Sequence, residues 1–196
     1  ATIKNSKNKK LSWAIIGTSL SVYLICVFLF SRWYVQGLKI KYLSEQIINS
    51  TEMIEKETKK EEQTHSFSGA IELDDGTIIT GKTTNLMGAC SAVLMNVLKH
   101  LAGIDKKKVL ISPEAILPIQ NLKTEYLGSV NPRLHSNEIL IALSVSALHS
   151  EDAKKALAML PKLEGMQAHV TCDVADVDLS IYANLGIMLT YDANKK

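Results

Sequence analysis

The hydrophobic positions of this chain change period along its length, and each change predicts an element. Residues 11–30 form a run of 20 residues without a charge. As a helix at 1.5 Å per residue that run would reach about 30 Å, the hydrocarbon thickness of a bilayer. It predicts a single-pass transmembrane anchor over 11–34, behind a basic tail at 1–10 and ahead of a helical stalk or linker at 35–65. Trp13, Trp33 and Tyr34 stand near the ends of the run, where aromatic rings favour the interface. No small-residue cleavage site follows, so an uncleaved anchor is preferred to a signal peptide. In the stalk, Ile40, Leu43, Ile47 and Ile54 fall near heptad positions while Ser50 and Glu57 interrupt the seam. That spacing leaves a homo-oligomer open and encodes it weakly.

From residue 66 the periods shorten. Residues 70–73 and 77–80 flank Asp74-Asp75-Gly76, and Asp-Gly between β-branched runs predicts a hairpin. Leu86, Cys90, Val93, Val97 and Leu101 make one stripe of a helix from about Asn85, ended by Gly103. Residues 109–111 predict a short buried strand. Ser112, Pro113 and Glu114 then supply a helix cap, a first-position proline and a first-turn acid, and Pro118 is expected to limit that helix. Farther on, Ile139, Leu140, Ile141, Ala142, Leu143 and Val145 leave no polar face, which predicts a buried helix capped by Ser136 or Asn137. Ala153, Ala156, Leu157 and Leu160 predict a surface helix between Ser150 and Pro161. Residues 167–171 and 187–191 read as strands, separated by a helix carrying Val177, Ile181 and Leu185 and closed by Gly186. The alternation predicts an α/β domain over 66–196, a three-layer sandwich with a mixed sheet of about five strands and helices on both faces.

Charge separates the same two parts. Residues 1–65 hold 10 Lys and Arg against 6 Glu, whereas 66–196 hold 12 basic against 14 acidic residues. A slightly acidic globular part has no footprint for a phosphate backbone, so nucleic acid is excluded as a partner. Lys4, Lys7, Lys9 and Lys10 precede the apolar run and Arg32, Lys39 and Lys41 follow it. This bias slightly favours an inside N-terminus, which would put the domain outside the cytoplasm. Cys26, Cys90 and Cys172 give an odd count without CxxC spacing, against a disulfide framework or a structural zinc site. Cys90, on a helix stripe, reads as a small buried hydrophobe rather than a nucleophile.

Candidate chemistry concentrates before the apolar helix, in Asn131-Pro132-Arg133-Leu134-His135. Pro132 fixes its own φ and pushes Asn131 toward an extended conformation, so the loop's shape is specified. Arg133, His135 and Asn137 crowd a positive helix end, a place suited to a carboxylate or phosphate, with His135 the candidate acid or base. The plainer reading is that Arg133 pairs with Glu114 or Glu125 and His135 bonds a carbonyl. Lys82, between a strand end and a helix start, and His169, on a strand beside Gln167 and Thr171, are further candidate ligand-binding residues. Residues 76–83 match the phosphate-loop pattern GxxxxGK[ST], yet Thr77, Ile78, Ile79 and Thr80 are all β-branched and favour a strand over an anion-cradling curl. No HxE with PCxxC, GxSxG or HExxH occurs, so deaminase, serine-hydrolase and zincin chemistry lack a motif, and neither a metal nor a cofactor is called for.

Several ordered motifs carry a resemblance: IELDDGTIITGK (71–82), LMGACSAVLMNVLK (86–99), ISPEAILPIQNLKTEYLGSVNPRLHSNEILIALS (111–144), LPKLEGMQAHVT (160–171) and LGIMLTYD (185–192). Over residues 70–191 the chain resembles the C-terminal domain of the domain-of-unknown-function 1846 family of bacterial proteins. The resemblance implies a three-layer α/β arrangement and a cytosolic setting, at odds with the charge bias. It also implies a large N-terminal region in longer members, where this chain carries the apolar segment. The expected function is a membrane-anchored domain that binds a small anionic ligand or serves in assembly. The alternatives are an enzyme domain acting on a phosphorylated or carboxylated metabolite through His135, and a fragment parted from its catalytic region.

Overall fold

The computed structural model describes residues 2–64 and 66–192, with side chains described from Ile25 onward except at 57 and 60–64. Two compact units divide the chain, Ala1–Ile48 and Asn49–Lys196. Helix α1 runs over Thr2–Thr64, so the stalk is helical as expected. Ile25, Phe28, Trp33 and Ile40 on it are exposed.

The single-pass anchor expected at 11–34 is corrected. Among the described residues no helix is long and apolar enough to cross a membrane. From Ser31 the helix carries the charges of Arg32, Lys39 and Lys41 and the polar Gln36, too frequent for a hydrocarbon layer. The side chains of residues 11–24 lie outside the described residues.

In the second unit, β1 (Ser68–Glu72) and β2 (Ile78–Lys82) form the expected hairpin. Gly76 takes φ +79° in its turn, where a residue without Cβ is needed. β3 (Gln167–Val170) pairs antiparallel with β1, and β4 (Met188–Tyr191) pairs parallel with β3, giving a sheet of four strands ordered β2-β1-β3-β4. The expected fifth strand at 109–111 does not form. Val109 is 67% exposed, and Ser112 begins the next helix at once, leaving too few residues for a ladder.

Helix α2 (Ala89–Leu101) lies across β1 and β2. Gly69 and Gly81 are cross-strand partners that let it approach: a Cβ on Gly81 would fall 2.3 Å from the Val93 amide nitrogen. The helix starts four residues later than its stripe suggests. Thr84 Oγ1 accepts the Leu86 and Met87 amides in a turn, and Met87 bridges to Leu134, so the intervening backbone is already bonded elsewhere. α3 (Pro113–Asn121) has the expected Ser112 cap, but Pro118 does not stop it. The carbonyl that proline leaves without a donor is that of Glu114, in the exposed first turn where water can reach it. The helix runs on into a π turn over Leu122–Tyr126.

α4 (Ser136–Ser146), α5 (Glu151–Leu157) and α6 (Asp176–Asn184) complete the domain. α4 is buried on one side only, through Ile139, Ala142 and Leu143; Ile141 at 61% and Val145 at 58% are exposed, so its apolar circumference does not mark full burial. α4 and α5 pack together and against α2, and α6 is joined to α2 by the Tyr182 hydroxyl, which donates to the Cys90 carbonyl at 2.8 Å. α2 and α6 thus share one face of the sheet. The core between them includes Ile71, Val93, Leu94, Leu98, Leu134, Ile139, Ala168 and Tyr182.

Candidate functional site

The loop before α4 is held from three sides. Asn131 Oδ1 accepts the Arg133 amide at 3.1 Å, closing a local turn. The Leu134 amide donates to the Leu86 carbonyl at 2.9 Å, and the Gly88 amide to the Leu134 carbonyl at 3.3 Å. From α3's π extension the buried Lys123 ammonium donates to the Arg133 carbonyl at 2.8 Å and to Glu138 Oε2 at 2.7 Å. The same Glu138 oxygen accepts the His135 amide at 2.8 Å, so the residue at the cap is His135, not Ser136 or Asn137. A buried ammonium with a carboxylate and a carbonyl around it is satisfied and holds the loop in one arrangement.

Arg133 pairs with neither Glu114 nor Glu125. Its Nε donates to the Thr84 carbonyl at 2.9 Å, which orients the guanidinium while leaving its terminal nitrogens out of that bond. His135 bonds no carbonyl through its ring; Nδ1 lies 2.8 Å from Asp178 Oδ2. The other oxygen, Oδ1, accepts the Ser136 amide at 2.7 Å. Asp178 is therefore seated at the positive end of α4, in the first turn of α6, and is only 6% exposed. Burial by itself raises its carboxyl, but hydrogen bonds from His135 and Ser136 outweigh burial and hold it below the usual carboxylate range. With Asp178 ionised, Nδ1 is the ring nitrogen that donates to it, and Nε2 is left outside that bond.

A hollow of about 250 Å³ opens at this pair. Asn131, Arg133, His135, Cys172, Asp173 and Asp178 line it, with Thr83 and the start of α2, Gly88 to Cys90. No side chain caps α2 at Gly88, and the start of that helix, with its positive dipole end, borders the hollow. Donors around one titratable ring are the requirements for gripping an anion and moving a proton on it.

Of the residues singled out from sequence, Asn131, Arg133 and His135 come together here. Asn137 is in the first turn of α4, and its Oδ1 is buried with no partner among the described residues. Lys82 lines a different hollow. His169 is on the sheet face away from α2, since Val170 beside it points at Gly69 and α2; its Nδ1 bonds Thr190 Oγ1 at 2.8 Å and its Nε2 lies 3.6 Å from Asp192. The phosphate-loop pattern is spent on the hairpin, with Gly76 in the turn and Gly81 under α2. His100 and His149 are exposed, and His65 lies outside the described residues. Among the described residues no group of three or more His, Cys, Asp and Glu is placed to hold a metal ion.

Asp178, Lys123 and Cys172 were not legible as site residues. Asp178 carried one usable signal: it stands four residues before Tyr182 on a helical stripe, where a carboxylate is rarely left without a partner.

Residues 49–196 match the family profile described as "Domain of unknown function DUF1846, C-terminal". A UPF0371 protein of Corynebacterium aurimucosum is 53% identical over 134 residues, covering 68% of this chain and 27% of that protein. One of Corynebacterium diphtheriae is 52% identical over 140 residues, 71% of this chain and 28% of that protein. A UPF0371 protein of Streptococcus thermophilus is 48% identical over 133 residues, 68% of this chain and 27% of that protein. The chain thus spans little more than a quarter of the length of these relatives. With the matched region covering the sheet, all the helices around it and the His135–Asp178 hollow, the chain belongs to the DUF1846 family, through its C-terminal domain.

Proposed function

We propose that this domain binds a small carboxylated or phosphorylated molecule at the His135 hollow and presents it to an acid–base pair. The observation that carries the reading is the Asp178 bridge, which takes a backbone amide with one oxygen and the His135 ring with the other. A bridge of that kind orients an imidazole for proton transfer. Arg133, Asn131 and the start of α2 supply the anion's donors, and His135 Nε2 gives or takes the proton. In longer relatives the domain would provide one wall of a site whose remainder comes from the preceding region.

The test is titration with inorganic phosphate and, separately, succinate, followed by amide shifts. Perturbations at Gly88, Ala89, Arg133 and His135 that vanish in Arg133→Gln are expected. Perturbations absent up to about 10 mM, a weak but measurable range, or unaffected by Arg133→Gln, would sink the reading.

A second role, in assembly, is favoured by the exposed Ile141, Val145 and Leu148 on and just after α4. Sedimentation of Val145→Asp against the unaltered chain tests it; unchanged association removes the role.

A further inference from the structure

We infer a second ligand site, distinct from the His135 hollow, that takes an amphiphilic anion: one carboxylate head on an apolar body. The site is a hollow of about 420 Å³ between the exit of β2, the outer side of α2 and the segment that leads to α3. That volume is in the range of small-molecule sites. Its floor is apolar, built from Leu86, Met87, Met95, Leu110 and Ile116. Two of these are methionines, whose unbranched, polarizable side chains fit irregular apolar guests.

The rim has the opposite character. Lys82, Lys99 and Lys106 line it, and no Asp or Glu does. Among the described residues from 66 onward, the lysines paired with a carboxylate are others: Lys108 with Asp152, Lys123 with Glu138 and Lys154 with Glu151. Lys99 Nζ donates to the Lys106 carbonyl at 3.2 Å, which aims one of its three protons and leaves two. Burial lowers the Lys99 ammonium below its usual range, and Asp105 acts against that shift. A partly desolvated cation gains more from an anion than a solvated one does. Asn96, also on the rim, has its amide committed to the Thr80 carbonyl at 2.9 Å and shapes the wall.

Three lysines with no carboxylate in the lining, Asp105 acting on Lys99 from outside it, stand above a methionine-lined floor and are complementary to a negative head with a hydrocarbon tail. A hollow of this size suits a ligand with a body of about ten carbons and its head at the lysines. The lysine singled out from sequence as an anion ligand, Lys82, thus serves this site and not the one at His135.

Decanoate is the probe, added below its micelle concentration to the full chain and followed by isothermal titration calorimetry and amide shifts. Saturable binding is expected, with shifts at Met87, Met95 and Lys99 and affinity reduced about tenfold or more by Lys99→Gln with Lys106→Gln. Val109→Asp places a carboxylate on an exposed lining position that folding does not need, and should weaken decanoate likewise. Equal affinity for decanol would overturn the anionic head, and equal affinity for inorganic phosphate would overturn the apolar body. No saturable binding, or binding that ignores both sets of substitutions, would overturn the site. Lys99→Gln with Lys106→Gln leaves the phosphate and succinate shifts at Gly88, Ala89 and His135 unchanged, since neither lysine lines that hollow, so the two outcomes are separable.

Discussion

His135 and Asp178 stand 43 residues apart in the chain, and the 2.8 Å contact between them joins the start of α4 to the start of α6. The pair is structural and chemical at once, because the carboxylate that orients the ring also takes the Ser136 amide.

Asp178→Asn is expected to cost about 1–3 kcal/mol, the range for a buried hydrogen bond to a charged group. The carboxyl is depressed in the folded state, so its contribution is present above the unfolded value near 3.9 and is lost as pH falls through the folded value. Urea denaturation should therefore show a large difference between the unaltered chain and Asp178→Asn at pH 7 and a smaller one at pH 3. An equal gap at both would refute the ionised role.

Lys123 and Glu138 form a pair in which neither partner is safely removed alone. Glu138→Gln leaves the buried ammonium with the Arg133 carbonyl and without a countercharge, and should lose about 3 kcal/mol. Lys123→Met combined with Glu138→Gln should recover much of that loss. A double-mutant cycle by chemical denaturation measures the coupling, and strict additivity would contradict it.

Gly81 and Gly76 separate close approach from backbone conformation. Gly81→Ala drives a methyl group into the α2 backbone, and should cost more than about 3 kcal/mol or prevent folding. Gly76→Ala meets open space at φ +79°, and should cost only about 1 kcal/mol. Thermal melts of the two variants rank them, and the reverse order would show that α2 does not rest on β2.

Tyr182 is fully buried with its hydroxyl on the Cys90 carbonyl, and burial raises that hydroxyl well above the ordinary tyrosine range. Tyr182→Phe should lower stability by about 1 kcal/mol or slightly more. Absorbance titration should show one fewer late-ionising phenol in the variant, and identical curves would place the hydroxyl in water.

Local chemistry was readable where a short stretch determines its own outcome. The hairpin follows from Asp75-Gly76 between β-branched residues, the start of α3 from Ser112 and Pro113, and the start of α5 from Ser150. The fixed turn at 131–135 could be seen as well, because Pro132 and the polar residues around it announce it. Its partners could not be seen. Lys123 reaches it from α3's extension and Asp178 from α6, and neither sequence distance nor periodicity encodes such meetings.

Two errors have one physical source, that apolar residues do not by themselves say what they face. Ile141 and Val145 completed an all-round pattern on α4 yet stand in the open, and residues 109–111 looked like a buried strand yet only Leu110 and Ile111 turn inward. Lys82 and His169 were grouped with Arg133 by residue type. Gly81 under α2, and the pointing of Val170 toward the same helix, send them to other parts of the domain.

The Tyr182 hydroxyl reaches back across 92 residues to Cys90, and Asp178 stands one turn before it on the same helix. A ribosome-bound chain that has emerged only as far as β3 therefore holds His135 without its carboxylate and α2 without its lateral brace. The carboxylate and the brace thus arrive together on one docking helix, so a lesion that undocks α6 removes both at once.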